Sequence, residues 1–159
     1  MLKNFARVLA AGAFVLAAVI PTTASAAGGG GGGTPGQVTM QIDPNVTLSD
    51  KQLLAVTVTQ SCPLLIDFNG NPATSQFGDV SVQEVRGNVI AHAFGSLSTV
   101  CDGAVHTTTV MVLAEDHPFH SGTGIAQASA FNVCGTDPST LMFECINGTT
   151  TQIVSISSH

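Results

Sequence analysis

Val100-Cys101-Asp102-Gly103-Ala104-Val105-His106-Thr107-Thr108-Thr109-Val110-Met111-Val112-Leu113 is the stretch that decides how the rest of the chain is read. Asp-Gly is turn chemistry, because glycine supplies the positive φ that a tight turn needs. After it, residues 105–114 are rich in β-branched side chains and read as a strand. A cysteine therefore stands at the entry to the strongest strand in the sequence, with a histidine just inside it.

Working outward, the same period of two recurs. Val38, Met40 and Ile42 alternate with Gln37, Thr39 and Gln41. Asp43-Pro44-Asn45 turns the chain, and Leu48-Ser49-Asp50-Lys51 reads as a second turn. In residues 53–60, Leu54, Val56 and Val58 share one face, and the parity carries Cys62 onto that face, the core side. Residues 67–72 form a loop. Val80 and Val82 alternate with Ser81 and Gln83, Arg86-Gly87-Asn88 bends, and residues 89–94 resume. Residues 115–124 are an acidic loop carrying histidines. Gly124, Ala126, Ala128 and Ala130 put small groups on one face, with Ile125 and Phe131 on the other, as in a strand lying close under a neighbour. Residues 135–139 turn between Cys134 and Cys145, and residues 150–156 make the last strand. No sustained helical period follows the first segment. The expectation is an all-β, immunoglobulin-like β-sandwich of seven to eight antiparallel strands with two disulfides.

The domain occupies residues 37–159. Residues 1–26 have the form of a signal peptide: Lys3 and Arg7, an apolar run over residues 8–20, the breaker Pro21, and the cleavage signature Ala24-Ser25-Ala26. The run is shorter than the roughly 20 residues a membrane span requires. Cys62 is the first cysteine, so none stands at the cleavage site to take a lipid. Residues 27–36 are a glycine-rich linker. The expected location is secreted, extracellular or at the cell surface, with no membrane association after cleavage.

Without the signal, only Lys51 and Arg86 stand against ten Asp and Glu, two cations to ten acids, a formal charge of −8. Such a chain has no basic face with which to displace counterions, which excludes nucleic acid as a partner. Absent Trp and Tyr argue against a platform that stacks on sugars. Four cysteines in an exported chain imply two disulfides. Cys134 and Cys145 flank a turn, so a hairpin places them opposite each other, and Cys62 and Cys101 both lie near strand ends. This favours Cys62–Cys101 with Cys134–Cys145. Cys62 with Cys134, the cross-sheet bridge of immunoglobulin domains, is the rival.

The candidate sites are few. Asp102, Gly103 and His106 form a structural or ligand-contact motif: His106 stands beside Asp102, but one histidine without a nucleophile is not a catalytic set. Glu115-Asp116-His117-Pro118-Phe119-His120 has the residue types of a metal site, yet they sit on one short loop, and no metal is expected there. Asp67-x-Asn69-x-Asn71 opens like a calcium loop and fails at Pro72 and Gly78. There is no G-x-S-x-G, no phosphate-cradling loop and no spare cysteine. Asn45-Val46-Thr47 and Asn147-Gly148-Thr149 match the glycosylation acceptor by chance.

From residue 46 to residue 130 the chain resembles a group of small secreted actinobacterial domains of unknown function. The matching pieces are Val56-Thr-Val-Thr-Gln-Ser-Cys62, Val80-Ser-Val-Gln83, Cys101-Asp-Gly-x-x-His106 and Phe119-x-x-Gly122-x-Gly-x-Ala126. Gly124 is an added glycine in that last motif, and Thr107 and Thr108 stand where an aromatic often follows the histidine. The resemblance implies an exported β-sandwich and assigns no activity. Leu48-Ser-Asp50 leading into a strand is similar to neocarzinostatin-type apoproteins, which are also acidic, two-disulfide sandwiches.

Together these readings give a non-catalytic extracellular binding or interaction module with no cofactor, its partner or small ligand unspecified. One alternative is a carrier of a small apolar ligand, using the Gly124–Ala130 face. The other is a secreted metal-dependent or hydrolytic enzyme using His106, His117 or His120.

Overall fold

The structure is a computed structural model and describes residues 36–158. The expected signal peptide, nearly all of the expected linker, and His159 lie outside the described residues. Within them the chain forms nine strands: β1 (Thr39–Ile42), β2 (Asn45–Asp50), β3 (Leu53–Ser61), β4 (Ala73–Arg86), β5 (Val89–Ser96), β6 (Val100–Cys101), β7 (Val105–Ala114), β8 (Gly122–Thr136) and β9 (Phe143–Ser158). The all-β expectation holds, and β7 has the limits read from the sequence.

The expected sandwich does not. Strand pairing runs β3-β2-β9-β8-β4-β5-β7 and returns to β3, which closes a seven-stranded barrel. The closing ladder, β3 on β7, is antiparallel and runs from Leu53↔Leu113 to Ser61↔Val105. A sandwich would leave those two strands as edges or on separate sheets. Sandwich and barrel strands carry the same in-out alternation, so periodicity does not separate them; only the identity of the edge partners does. Closure removes the exposed edges that invite pairing with other chains. β1 and β6 are additions, on β3 and β4. The pairing is not wholly antiparallel either, since β2 lies parallel to β9. Residues 45–50, expected to contain a turn, form β2 with Val46 and Leu48 buried, and the chain reverses at residues 51–52 instead.

The interior is filled by size complementarity. β3, β4 and β7 contribute Leu54, Val56, Val58, Val80, Val82, Val110 and Val112. β5 and β8 face them with Ala91, Ala93, Ala126 and Ala128. Large against small is how a narrow barrel fills without voids. The small-residue face of β8 is thus the inner wall of the barrel, with Ala126, Ala128 and Ala130 fully buried, and it lines no cleft. Gly124 continues that wall: a Cβ there would lie 2.9 Å from the Gln83 carbonyl oxygen and 3.0 Å from Ile156 Cδ1. β8 bulges after Ala130, where Asn132 takes φ 55° and donates its N–H to Asn147 Oδ1 at 2.8 Å. The side chain of the second glycosylation-like motif is therefore engaged in holding a bulge.

Cys62–Cys101 and Cys134–Cys145 are the two bridges, with Cα atoms 4.7 Å and 4.1 Å apart. Both lie at one end of the barrel. Cys134 and Cys145 are directly paired across the β8–β9 hairpin, as expected for residues flanking its turn. This end is the stapled pole. The other, where β8 begins and β4 ends, has no bridge and is the open pole.

Candidate functional site

At the stapled pole the Asp102 motif forms one compact turn. Gly103 has φ 83°, and Asp102 Oδ1 accepts the N–H of Ala104 at 2.9 Å. His106 Nε2 lies 2.9 Å and 3.0 Å from the two carboxylate oxygens of Asp102. The His106 ring, then the Ala104 N–H, holds the Asp102 carboxyl below the usual carboxylate range. Among the described residues no hydroxyl or thiol bonds to His106, so the couple orients a turn and activates no nucleophile.

The same pole ends in an apolar tip. Phe68, on the loop after Leu65, stacks on Phe143 with ring centroids 5.5 Å apart. Phe68, Leu141, Met142 and Phe143 are 91%, 79%, 68% and 53% exposed. Two tight turns present them. Asp67 accepts the N–H groups of Asn69 and Asn71, and Asp137 accepts the N–H and hydroxyl of Ser139. Those bonds, first from Asn71 and first from Ser139, lower both carboxyls below their usual range. Leu141 has φ 58°. A bulky side chain in the left-handed region costs about 1–2 kcal/mol relative to its ordinary backbone, and Leu141 is left mostly in water.

The open pole is built differently. The loop between β7 and β8 folds over the barrel mouth, where Phe119 is fully buried and its N–H donates to the Lys51 carbonyl at 2.7 Å. Asp116 ties this loop to β5: its Oδ1 accepts the His92 N–H at 2.9 Å, and its Oδ2 lies 3.0 Å from His92 Nδ1. Those bonds from His92 hold the Asp116 carboxyl far below the usual range. Beside the loop is a cavity of about 500 Å³ lined by Glu84, Arg86, Gly87, Val89, Ala91, His117, Pro118 and His120. His117 and His120, expected on a solvated loop, do reach one cavity. Their loop neighbour Glu115 is not in its lining. Among the described residues no group of three or more His, Cys, Asp or Glu side chains is arranged to hold a metal ion.

Four polar side chains are buried: Gln60, Thr99, Ser129 and Glu84. The first three are satisfied. Gln60 donates to the Ser98 carbonyl at 2.8 Å and accepts the Thr99 hydroxyl at 2.8 Å, and Ser129 donates to Asp79. Glu84 is different. It is 3% exposed, and its Oε2 accepts one N–H, that of His120, at 2.9 Å. Among the described residues the ion pairs are His92–Asp116 and His106–Asp102, so no cation stands beside Glu84. His120 Nδ1, in the same place, is buried without a partner.

Neither Glu84 nor the His92–Asp116 couple stands out by motif. Glu84 has a signal in the sequence all the same: it follows Val80 and Val82 in the inward parity of β4, where a charge is out of place. His92 offers no such signal, since its partner lies 24 positions away. No family model matches the chain, and no curated protein matches it.

Proposed function

We propose that the chain is an extracellular, non-catalytic interaction module that engages a protein partner through the apolar tip of its stapled pole. The observation that carries this reading is Leu141: a large apolar side chain held in a left-handed backbone and left in water, beside Phe68, Met142 and Phe143. Strained backbone and clustered apolar exposure are features that stability alone does not retain. Two disulfides support an oxidising compartment. Asp67, Asp137 and Glu144 flank the tip, which suits an apolar socket with a basic rim and disfavours an anionic lipid surface.

A photo-cross-linking residue at Met142, in protein exported by its native host, tests the reading. The expected result is one discrete adduct, weakened by salt, competed by unlabelled protein and lost in Leu141→Ser. The same probe at Thr109, exposed on the barrel wall, gives none. Equal labelling from both positions would refute the assignment. Flotation with neutral phosphatidylcholine vesicles, abolished by Leu141→Ser, would reassign the tip to lipid.

A further inference from the structure

We infer that the cavity at the open pole binds a small zwitterion, with the ligand's primary ammonium on Glu84 and His120 and its carboxylate on Arg86. The site is at the opposite end of the barrel from the apolar tip, and the inference does not depend on the proposed partner surface.

The argument starts with Glu84. An ionised carboxylate removed from water needs a cation or several donors. Glu84 has one donor, the His120 N–H, and no cation within 4.0 Å among the described residues. It is also one of the groups lining a cavity large enough for a small ligand. The missing charge therefore has a place to sit.

His120 selects the kind of cation. Its Nδ1 is buried and unpartnered, and the residue lines the same cavity. With the proton on Nε2, Nδ1 is an acceptor. Two acceptors, a carboxylate and an imidazole nitrogen, suit an ammonium that carries three N–H donors. A quaternary ammonium has none to offer and would leave His120 unsatisfied.

Arg86 selects the other end. It stands two positions along β4 from Glu84, on the same strand face, about 6.6 Å away at the Cα level. It lines the same cavity and forms no ion pair with Glu84 or any other described residue. Buried carboxylate and exposed guanidinium thus flank one space without neutralising each other. A ligand bearing both charges bridges them, while Val89, Ala91 and Pro118 offer a wall for a short alkyl spacer. A guanidinium fork matches a carboxylate bidentately.

The test is an amide-resolved NMR titration of the protein with butyrate, n-butylamine and 4-aminobutyrate, three probes with one carbon chain length. The expected order of affinity is 4-aminobutyrate, then butylamine, then butyrate, with shifts at His120, Gly122 and Arg86. Glu84→Gln keeps an acceptor for the His120 N–H but removes the charge, and should weaken both amines by about tenfold or more. Arg86→Gln, at an exposed position that leaves the core intact, should lower 4-aminobutyrate to the level of butylamine and leave butylamine unchanged. Butyrate binding as well as butylamine, amine binding unchanged by Glu84→Gln, or no shift at these amides with any probe would each overturn the assignment. Should Glu84→Gln not fold, the Arg86→Gln pattern and the three-probe order still decide it.

Discussion

The stapled pole and the open pole close the same barrel by different means. At the stapled pole Leu65 is fully buried, both disulfides tie strands together, and two aspartate-capped turns carry an exposed apolar tip. At the open pole there is no covalent tie; Phe119 plugs the mouth, and a buried carboxylate stands beside a cavity. The contrast separates two ways of making a surface specific. Covalent bracing holds a rigid end that tolerates strain and apolar exposure. Packing without bracing leaves an end where a buried carboxylate with a single donor, the His120 N–H, lines a cavity.

The largest expected effect lies at the open pole. Phe119→Ala should cost about 3–5 kcal/mol in denaturant unfolding, since Phe119 is a large, fully buried side chain of the main core. Next is the joint Cys62→Ala and Cys101→Ala replacement, which opens a bridge of sequence separation 39 and should cost about 4 kcal/mol on the chain-entropy account. The corresponding change at Cys134 and Cys145, separation 11, should cost about 3 kcal/mol. If the poles are independent, the Phe119 and Cys62–Cys101 effects add to within about 0.5 kcal/mol in the combined variant. A larger departure would break the comparison.

Gly124→Ala should cost about 1–3 kcal/mol, because the new methyl meets the Gln83 carbonyl and Ile156. The same unfolding curve reads it. Acidification should loosen the turns that aspartates hold, read as amide protection relative to the intrinsic exchange rate at each pH. Asp67, Asp102 and Asp137 at the stapled pole, and Asp116 at the open pole, all have carboxyls lowered by hydrogen bonding in the folded state. Each such group contributes stability that is present above its unfolded pKa of about 3.9 and lost as pH falls through its folded value. Below pH of about 4, the turn amides of Asn71, Ala104 and Ser139 should therefore lose protection, with the bridges still holding the fold. Unchanged protection there on acidification, or equal protection in Asp137→Asn at neutral pH, would count against the turns as the acid-labile part. The smallest effect has the opposite sign. Leu141→Asn should stabilise by up to about 1 kcal/mol, because asparagine tolerates the left-handed backbone. It should also weaken the partner contact.

The sequence made local structure legible where burial alternates strictly. β7, the inward face of β3 and the cysteine pairing follow from parity and from turns flanked by cysteines. It did not reveal barrel closure, because the Leu53–Ser61 ladder with β7 joins two strands whose alternation is the same in either architecture. It misread residues 45–50, where Ser49, Asp50 and Lys51 resemble a turn although Val46 and Leu48 face the core. The candidate site was half visible. His117 and His120 were singled out as residue types, but their companion is Glu84, 36 positions from His120, and not the neighbouring Glu115. Spacing in sequence carries no information about a pair brought together only by the register of β4 against a loop.

The parallel pairing of β2 with β9 has a kinetic consequence. Asn45 meets Ser155, its partner, only after 110 further residues are in place. Contacts that distant slow folding, to the millisecond-to-second range typical of barrels. A nascent chain lacking its last strand cannot close the barrel, however much of β3 and β7 has formed. The barrel can therefore close only once Phe143–Ser158 has been made and has paired with a strand that was made more than a hundred residues earlier.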